Sequence, residues 1–176
     1  MRINLWGGPG LGKSNTASRI YSILDAKQIN IQLCREYIKN WVYQQRAPRS
    51  FDQVYIFGKQ LHSEDLPLQG GVEHIVTDSP LLMSVWYASS TLKNTEITSN
   101  LLGLAREFER QNPSINIFLD REGIKYQPTG RFQTEDEARE MDKSLFGFAF
   151  NYLPEIVTIN ARDIDAIINY VEPRLN

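Results

Sequence analysis

Eight consecutive residues, Gly7-Gly8-Pro9-Gly10-Leu11-Gly12-Lys13-Ser14, fit the spacing G-x-x-x-x-G-K-[ST]. The chemistry this spacing supports is narrow. Glycines let the backbone wrap a phosphate chain with its N–H groups turned inward, the lysine puts a point charge on the β- and γ-phosphates, and the serine can ligate magnesium. A helix starting at this point adds the positive end of its dipole. A glycine turn that merely ended a strand would need neither Lys13 nor Ser14 at these places. Gly8, Pro9, Gly10, Leu11, Gly12, Lys13, Ser14 and Asn15 are therefore the expected nucleotide-binding set, with ATP and Mg2+ as ligands.

Two carboxylates could serve such a phosphate chain. Glu36 follows a predicted strand, from which it could reach an acceptor hydroxyl beside the γ-phosphate, and is the expected general base. The plainer alternative is an acid that only favours a helix dipole. Asp78 closes an apolar strand and would hold magnesium through water, orient the acceptor, or act as base in place of Glu36. It could equally cap the helix that starts at Pro80. Ser14 and Asp78 are thus the expected metal ligands. Arg121, Lys125 and Arg131 lie in a polar loop flanked by Gly123 and Gly130, suited to a cationic lid that closes over the phosphates and excludes water. Arg121 and Arg131 are the expected stabilisers of the moving phosphoryl charge, with solvated loop surface as the alternative. Between Arg35 and Arg49, the cations Arg35, Lys39, Arg46 and Arg49 stand against Glu36 alone, a net charge of +3, interleaved with Tyr37, Trp41 and Tyr43. Cations among aromatics can track phosphates and stack bases, so Arg35, Glu36, Tyr37 and Arg46 are the expected acceptor-binding residues. At helical spacing Ile38, Trp41 and Val42 point instead to the core.

Alternating elements must position these groups. Apolar runs and turn residues predict strands over 3–6, 29–33, 73–78, 114–119 and 156–159, and helices over 12–26, 35–45, 51–66, 97–111 and 135–150, with a further helix opened by Pro80 and another at the C-terminus. Such alternation calls for a parallel sheet of about five strands covered by helices on both faces, a three-layer α/β/α arrangement, because parallel neighbours need crossovers. Ligands then gather at the carboxyl edge. The glycine loop, Glu36, Asp78 and the loop opening at Arg121 all fall at predicted strand ends. One domain over 1–176, with a lid at about 121–138, accommodates the whole.

Composition removes other classes. Apolar and charged shares of 41% and 23% are those of a globular chain, and a net charge of −2 argues against coating nucleic acid through bulk charge. Cys34, alone, fits a buried thiol in a reducing compartment and excludes a disulfide framework. His62 and His74 lack ligand-like spacing, so no zinc site is expected. The run Phe146, Phe148, Phe150 reads as packing. Without a span of ~20 apolar residues or a signal segment, a cytoplasmic protein with no membrane partner is expected. A guanine-nucleotide switch would need N-K-x-D and D-x-x-G; no Asn-Lys-x-Asp occurs, and Asp78 leads into Ser79-Pro80-Leu81.

The phosphate loop together with Arg35-Glu36-Tyr37, Phe57-Gly58-Lys59-Gln60, Val76-Thr77-Asp78-Ser79-Pro80-Leu81, and Tyr126-x-x-x-Gly130-Arg131-x-Gln133-Thr134-Glu135-x-Glu137-Ala138 resembles a family of small P-loop kinases common in bacteriophage genomes. That family is related to the nicotinamide-riboside kinase domain of NadR proteins and, more distantly, to thymidylate and deoxynucleoside kinases. The resemblance spans nearly the whole chain. It implies ATP-dependent phosphoryl transfer to a hydroxyl of a nucleoside-type acceptor. Some members phosphorylate the hydroxymethyl group of 5-hydroxymethyldeoxyuridine (5-hmdU) in phage DNA, so the implied partner is a nucleotide or DNA containing modified thymidine, in an infected bacterial host. Where a classical nucleoside kinase shows Glu-Pro-Val or Asp-Arg-Ser, this chain has Arg-Glu-Tyr and Asp-Ser-Pro. A deoxynucleoside-monophosphate or nucleoside kinase is the nearest alternative. An ATP-binding regulatory module is the alternative from another class.

Overall fold

β1 (Arg2–Trp6) is buried along its whole length, as a strand covered on both faces must be. A computed structural model describes residues 1–38, 41, 44–49, 51–92, 95–127 and 133–175. In it β1 lies at the centre of a five-stranded sheet with β2 (Ile31–Cys34), β3 (His74–Thr77), β4 (Ser114–Asp120) and β5 (Val157–Asn160), in the order β2-β3-β1-β4-β5. Every pairing is parallel. The crossovers carry α1 (Lys13–Ala26), α2 (Asp52–Gln69), α3 (Leu81–Leu92), α4 (Thr95–Gln111) and α5 (Glu135–Tyr152), and α6 (Ile164–Val171) follows β5. This is the α/β arrangement that the alternation of elements predicts.

The two faces of β1 bury different chemistry. Ile3 and Leu5 meet Ala17, Ile20 and Leu24 of α1 and Ile164, Ile167, Ile168 and Val171 of α6. Each such Leu, Ile or Val side chain adds about 1.5–3 kcal/mol on burial, so the core itself holds α1, and with it the end of the glycine loop. On the other face Trp6 and Phe118 meet Phe57, Leu81, Leu101 and Leu145 from α2 to α5. A polar seam runs along this second face because Asn4 pairs in register with Asn116 and Thr77. Asn116 Oδ1 accepts from Asn4 Nδ2 and Trp6 Nε1, both at 3.0 Å. Arg2 donates to the fully buried Glu64 at 3.0 Å and also pairs with Glu109. Burial pushes the Glu64 carboxyl up, and the Arg2 guanidinium opposes that shift.

Three local expectations change. No helix begins at Arg35: β2 ends at Cys34 and residues 37–38 form a turn. The Glu36 N–H goes to Asp78 Oδ1 at 2.8 Å, and the chain is helical at Trp41. α2 continues through Pro67 to Gln69. Proline has no N–H to give the Ser63 carbonyl one turn back, and the Cys34 thiol takes that place at 3.2 Å. The phenylalanine run does not pack as a unit, because residues two apart lie on different helix faces. Phe146 and Phe150 stack on each other while 36% and 51% exposed, and Phe148 turns into the core. Residues 135–138 of the predicted lid form the first turn of α5, closed by a capping box between Thr134 and Glu137. Lys39, Val42, Tyr43, Gly130 and Arg131 lie outside the described residues. Among the described residues no helix is long and apolar enough to cross a membrane.

Candidate active site

The loop 7–12 leaves β1 and enters α1 at Gly12, an N-cap in the left-handed region with φ 86°. α1 has neither a side-chain cap nor an acid in its first turn, so its first N–H groups and dipole remain for an anion. Lys13 Nζ donates to the carbonyls of Gly7 (2.6 Å) and Gly8 (2.8 Å), folding the ammonium back over the loop. Leu11 is buried in the core beneath, so only its backbone can face a nucleotide. At Gly10, φ is 76° and an added Cβ would lie 2.5 Å from the Tyr126 ring. That ring covers the loop, held by its hydroxyl donating to the Gln133 carbonyl at 2.5 Å. Asn15 is exposed on the first turn of α1.

The sheet order sets the neighbours of this loop. β3 flanks β1 and β2 flanks β3, which lines up Gly7, Asp78 and Glu36 along one edge. Asp78 is buried, and its Oδ1 accepts the Glu36 N–H. The Glu36 backbone is thus held against the Asp78 carboxylate. Tyr87, half-buried on α3, adds a group that sequence reasoning missed. Burial pushes its phenol up, and the negative charges of Glu36 and Asp142 push it further.

On the other side β4 delivers Arg121, which is 6% exposed. Its Nε donates to Asp142 Oδ2 at 2.6 Å and its Nη2 to the Pro9 carbonyl at 3.0 Å. Asp142 Oδ1 accepts the Gly8 N–H at 2.6 Å. Arg121 is thus ion-paired and clasped to the loop rather than held on a solvated lid. The next residues are braced from the end of β5 and the turn after it: Asn160 Nδ2 donates to the Glu122 carbonyl and Arg162 Nη1 to that of Gly123. Asp142 was legible as an anomaly. Ala138, Leu145 and Ala149 are the buried residues of α5, and Asp142 falls on their i, i+4, i+7, i+11 stripe as its one charge. Tyr126 was visible in the sequence only as the first residue of a family motif, and Tyr87 carried no comparable signal.

The expected acceptor side gathers aromatic surface. Trp41 is buried as expected, under the Arg46 guanidinium at 3.6 Å and alongside Tyr55, whose ring centroid is 6.4 Å away. The Tyr37 and Tyr55 hydroxyls share a hydrogen bond of 2.8 Å. Arg46 also pairs with Asp52 at 3.2 Å, and Arg35 is exposed.

The cradle suits a chain of phosphates, since an uncapped helix start and a lysine meet at one place. Ser14 and Asp78 are the groups that would hold magnesium. Among the described residues no cluster of three or more His, Cys, Asp or Glu could hold a metal; magnesium in phosphate sites uses one or two carboxylates together with the phosphates.

No protein-family model matches the chain, and no curated protein matches it in sequence. Solved structures do match in fold. A NadR protein in complex with NR superposes with a TM-score of 0.69 at 16% identity over 96% of this chain, which spans about half (51%) of that chain's length. Deoxyadenosine kinase from M. mycoides with bound dATP matches at a TM-score of 0.55 and 16% identity, covering 98% of this chain and 100% of the other. The five-stranded parallel sheet with its flanking helices is the α/β fold shared with these two structures.

Proposed function

We propose that the chain is an ATP-dependent kinase that transfers the γ-phosphate to a hydroxyl of a nucleoside-type acceptor. The observation that carries this reading is the meeting of the Lys13 cradle with Glu36 and Asp78 at one sheet edge, joined by the Glu36 N–H to Asp78 bond of 2.8 Å. Glu36 takes the proton of the acceptor hydroxyl as its oxygen bonds the γ-phosphorus and the β–γ bridging bond breaks, releasing ADP. Lys13 and the backbone of the loop hold the phosphates. Magnesium, when bound by Ser14 and Asp78, neutralises charge on the transferred group. Tyr37, next to Glu36 in the chain, and the exposed Tyr55 ring that it meets edge-on suit a planar base.

At the finer level we propose the hydroxymethyl group of hydroxymethyluracil in DNA as the acceptor. The +3 segment from Arg35 to Arg49 supports it, since strand phosphates on either side of the target base need cations. Likeness to a deoxyadenosine kinase favours a second reading, a free deoxynucleoside or its monophosphate. One panel separates them: transfer of labelled γ-phosphate to nucleosides, nucleoside monophosphates, nicotinamide riboside, and single- and double-stranded DNA with and without hydroxymethyluracil. Labelling of hydroxymethyluracil DNA, weakening as salt rises, supports the first reading. Efficient labelling of a free deoxynucleoside or nucleotide with none of the DNA replaces it by the second. No transfer to any acceptor, with slow ATP hydrolysis, would point to a regulatory module.

A further inference from the structure

Asp142 has no part in the motif chemistry, yet both oxygens of its carboxylate are engaged at the phosphate loop. Oδ1 accepts the Gly8 N–H and Oδ2 accepts Arg121 Nε, each at 2.6 Å. Arg121 in turn holds the Pro9 carbonyl through Nη2, while its Nη1 is buried and has no hydrogen-bond partner among the described residues. A buried guanidinium with one donor unmet is costly unless something supplies an acceptor. The position indicates what that acceptor is. Lys13, the group that meets the β- and γ-phosphates, rests on the carbonyls of Gly7 and Gly8, and the clasp grips Gly8 and Pro9, the same end of the loop.

We propose that Asp142 is a positioning residue for the donor: it clamps Arg121 against the loop so that Nη1 meets an oxygen of the nucleotide's terminal phosphate. This rests on the kinase reading above. Two hydrogen bonds already fix the guanidinium plane, so little freedom is lost when the third bond forms. The bland alternative is that Asp142 only pins α5 to the loop.

Titration calorimetry of ATP and ADP against the parent protein and against Asp142→Asn, Asp142→Glu and Arg121→Lys distinguishes the two. A charge-assisted bond to the terminal phosphate makes the parent favour ATP over ADP, and Asp142→Asn lowers that preference by about tenfold or more. Arg121→Lys lowers it similarly, and the double variant loses no more than either alone. Asp142→Glu, which keeps the charge, recovers part of the preference. The direction is diagnostic. Removing a negative charge near the phosphates would by charge alone favour ATP, the more anionic ligand, so a fall that Arg121→Lys reproduces and the double variant does not deepen comes from a misaimed Arg121. An unchanged or raised preference, or parallel losses of ATP and ADP binding, overturns the proposal and leaves the structural pin. If Asp142→Asn does not fold, an unchanged preference in Arg121→Lys overturns it instead. A parent that binds neither nucleotide overturns the kinase reading as well, whereas a parent that binds both confines the failure to this inference.

Discussion

Substituting alanine for Gly8 tests how closely the phosphate loop is fitted against α5. Gly8 needs no unusual φ, so the effect comes from space alone. The added Cβ would stand 2.6 Å from Asp142 Oδ1, 3.0 Å from the Ala138 carbonyl oxygen and 3.4 Å from Arg121 Nη2. Asp142 can swing aside only by giving up its bond to the Gly8 N–H, and the Ala138 carbonyl is helix backbone that cannot swing at all. Overpacking of this kind costs about 1–3 kcal/mol. For a chain of this length each kcal/mol moves Tm by about 2–4 °C, so a fall of about 2–12 °C is expected. Thermal unfolding followed by near-ultraviolet circular dichroism measures it, with Gly147→Ala in the same helix as comparator. At Gly147 a new Cβ meets nothing within 4 Å, and alanine in a helix interior gains about 0.5–1 kcal/mol over glycine. A Gly8→Ala protein melting within about 1 °C of the parent, well short of the expected shift, would refute the close fit of loop, Asp142 and α5.

Lys13→Ala is expected to abolish phosphoryl transfer with Tm nearly unchanged, because the ammonium lies on the loop carbonyls and not in the core; retained transfer would sink the nucleotide-site assignment. Glu36→Gln is expected to lower turnover by about 10² to 10⁴ with little change in ATP affinity, and undiminished turnover would move the base to Asp78. Burial, with help from Glu64 and Asp78, pushes the Cys34 thiol up to about 12. Because the unfolded thiol ionises near about 8.5, the Cys34 contribution to stability is complete below that pH and is lost as pH rises toward 12. Native protein should therefore resist alkylation at pH 8, and Cys34→Ala should flatten the pH dependence of the urea midpoint above pH 9; rapid native alkylation would contradict the burial argument.

The glycine loop, the α/β alternation and the gathering of Glu36, Asp78 and Arg121 at one edge were legible in the sequence because each depends on local pattern. A loop of fixed spacing is read from the backbone geometry it permits, and apolar runs separated by helical segments favour a parallel sheet with crossovers. Neighbour relations were not legible. The helix expected from Arg35 does not begin there: residues 37–38 form a turn, and the Glu36 N–H goes to Asp78, 42 residues away. α2 runs through Pro67 because a thiol from another strand bonds the carbonyl that proline leaves without a donor. Arg121 reads in the chain as a lid cation; packing makes it a buried donor between Asp142 and Pro9, 21 residues ahead and 112 behind. Local composition determines which elements form and which groups lie at their ends. Only the packing of those elements decides which charges meet, because the energy of an ion pair or a buried hydrogen bond depends on distances and dielectric that exist only once distant segments have come together.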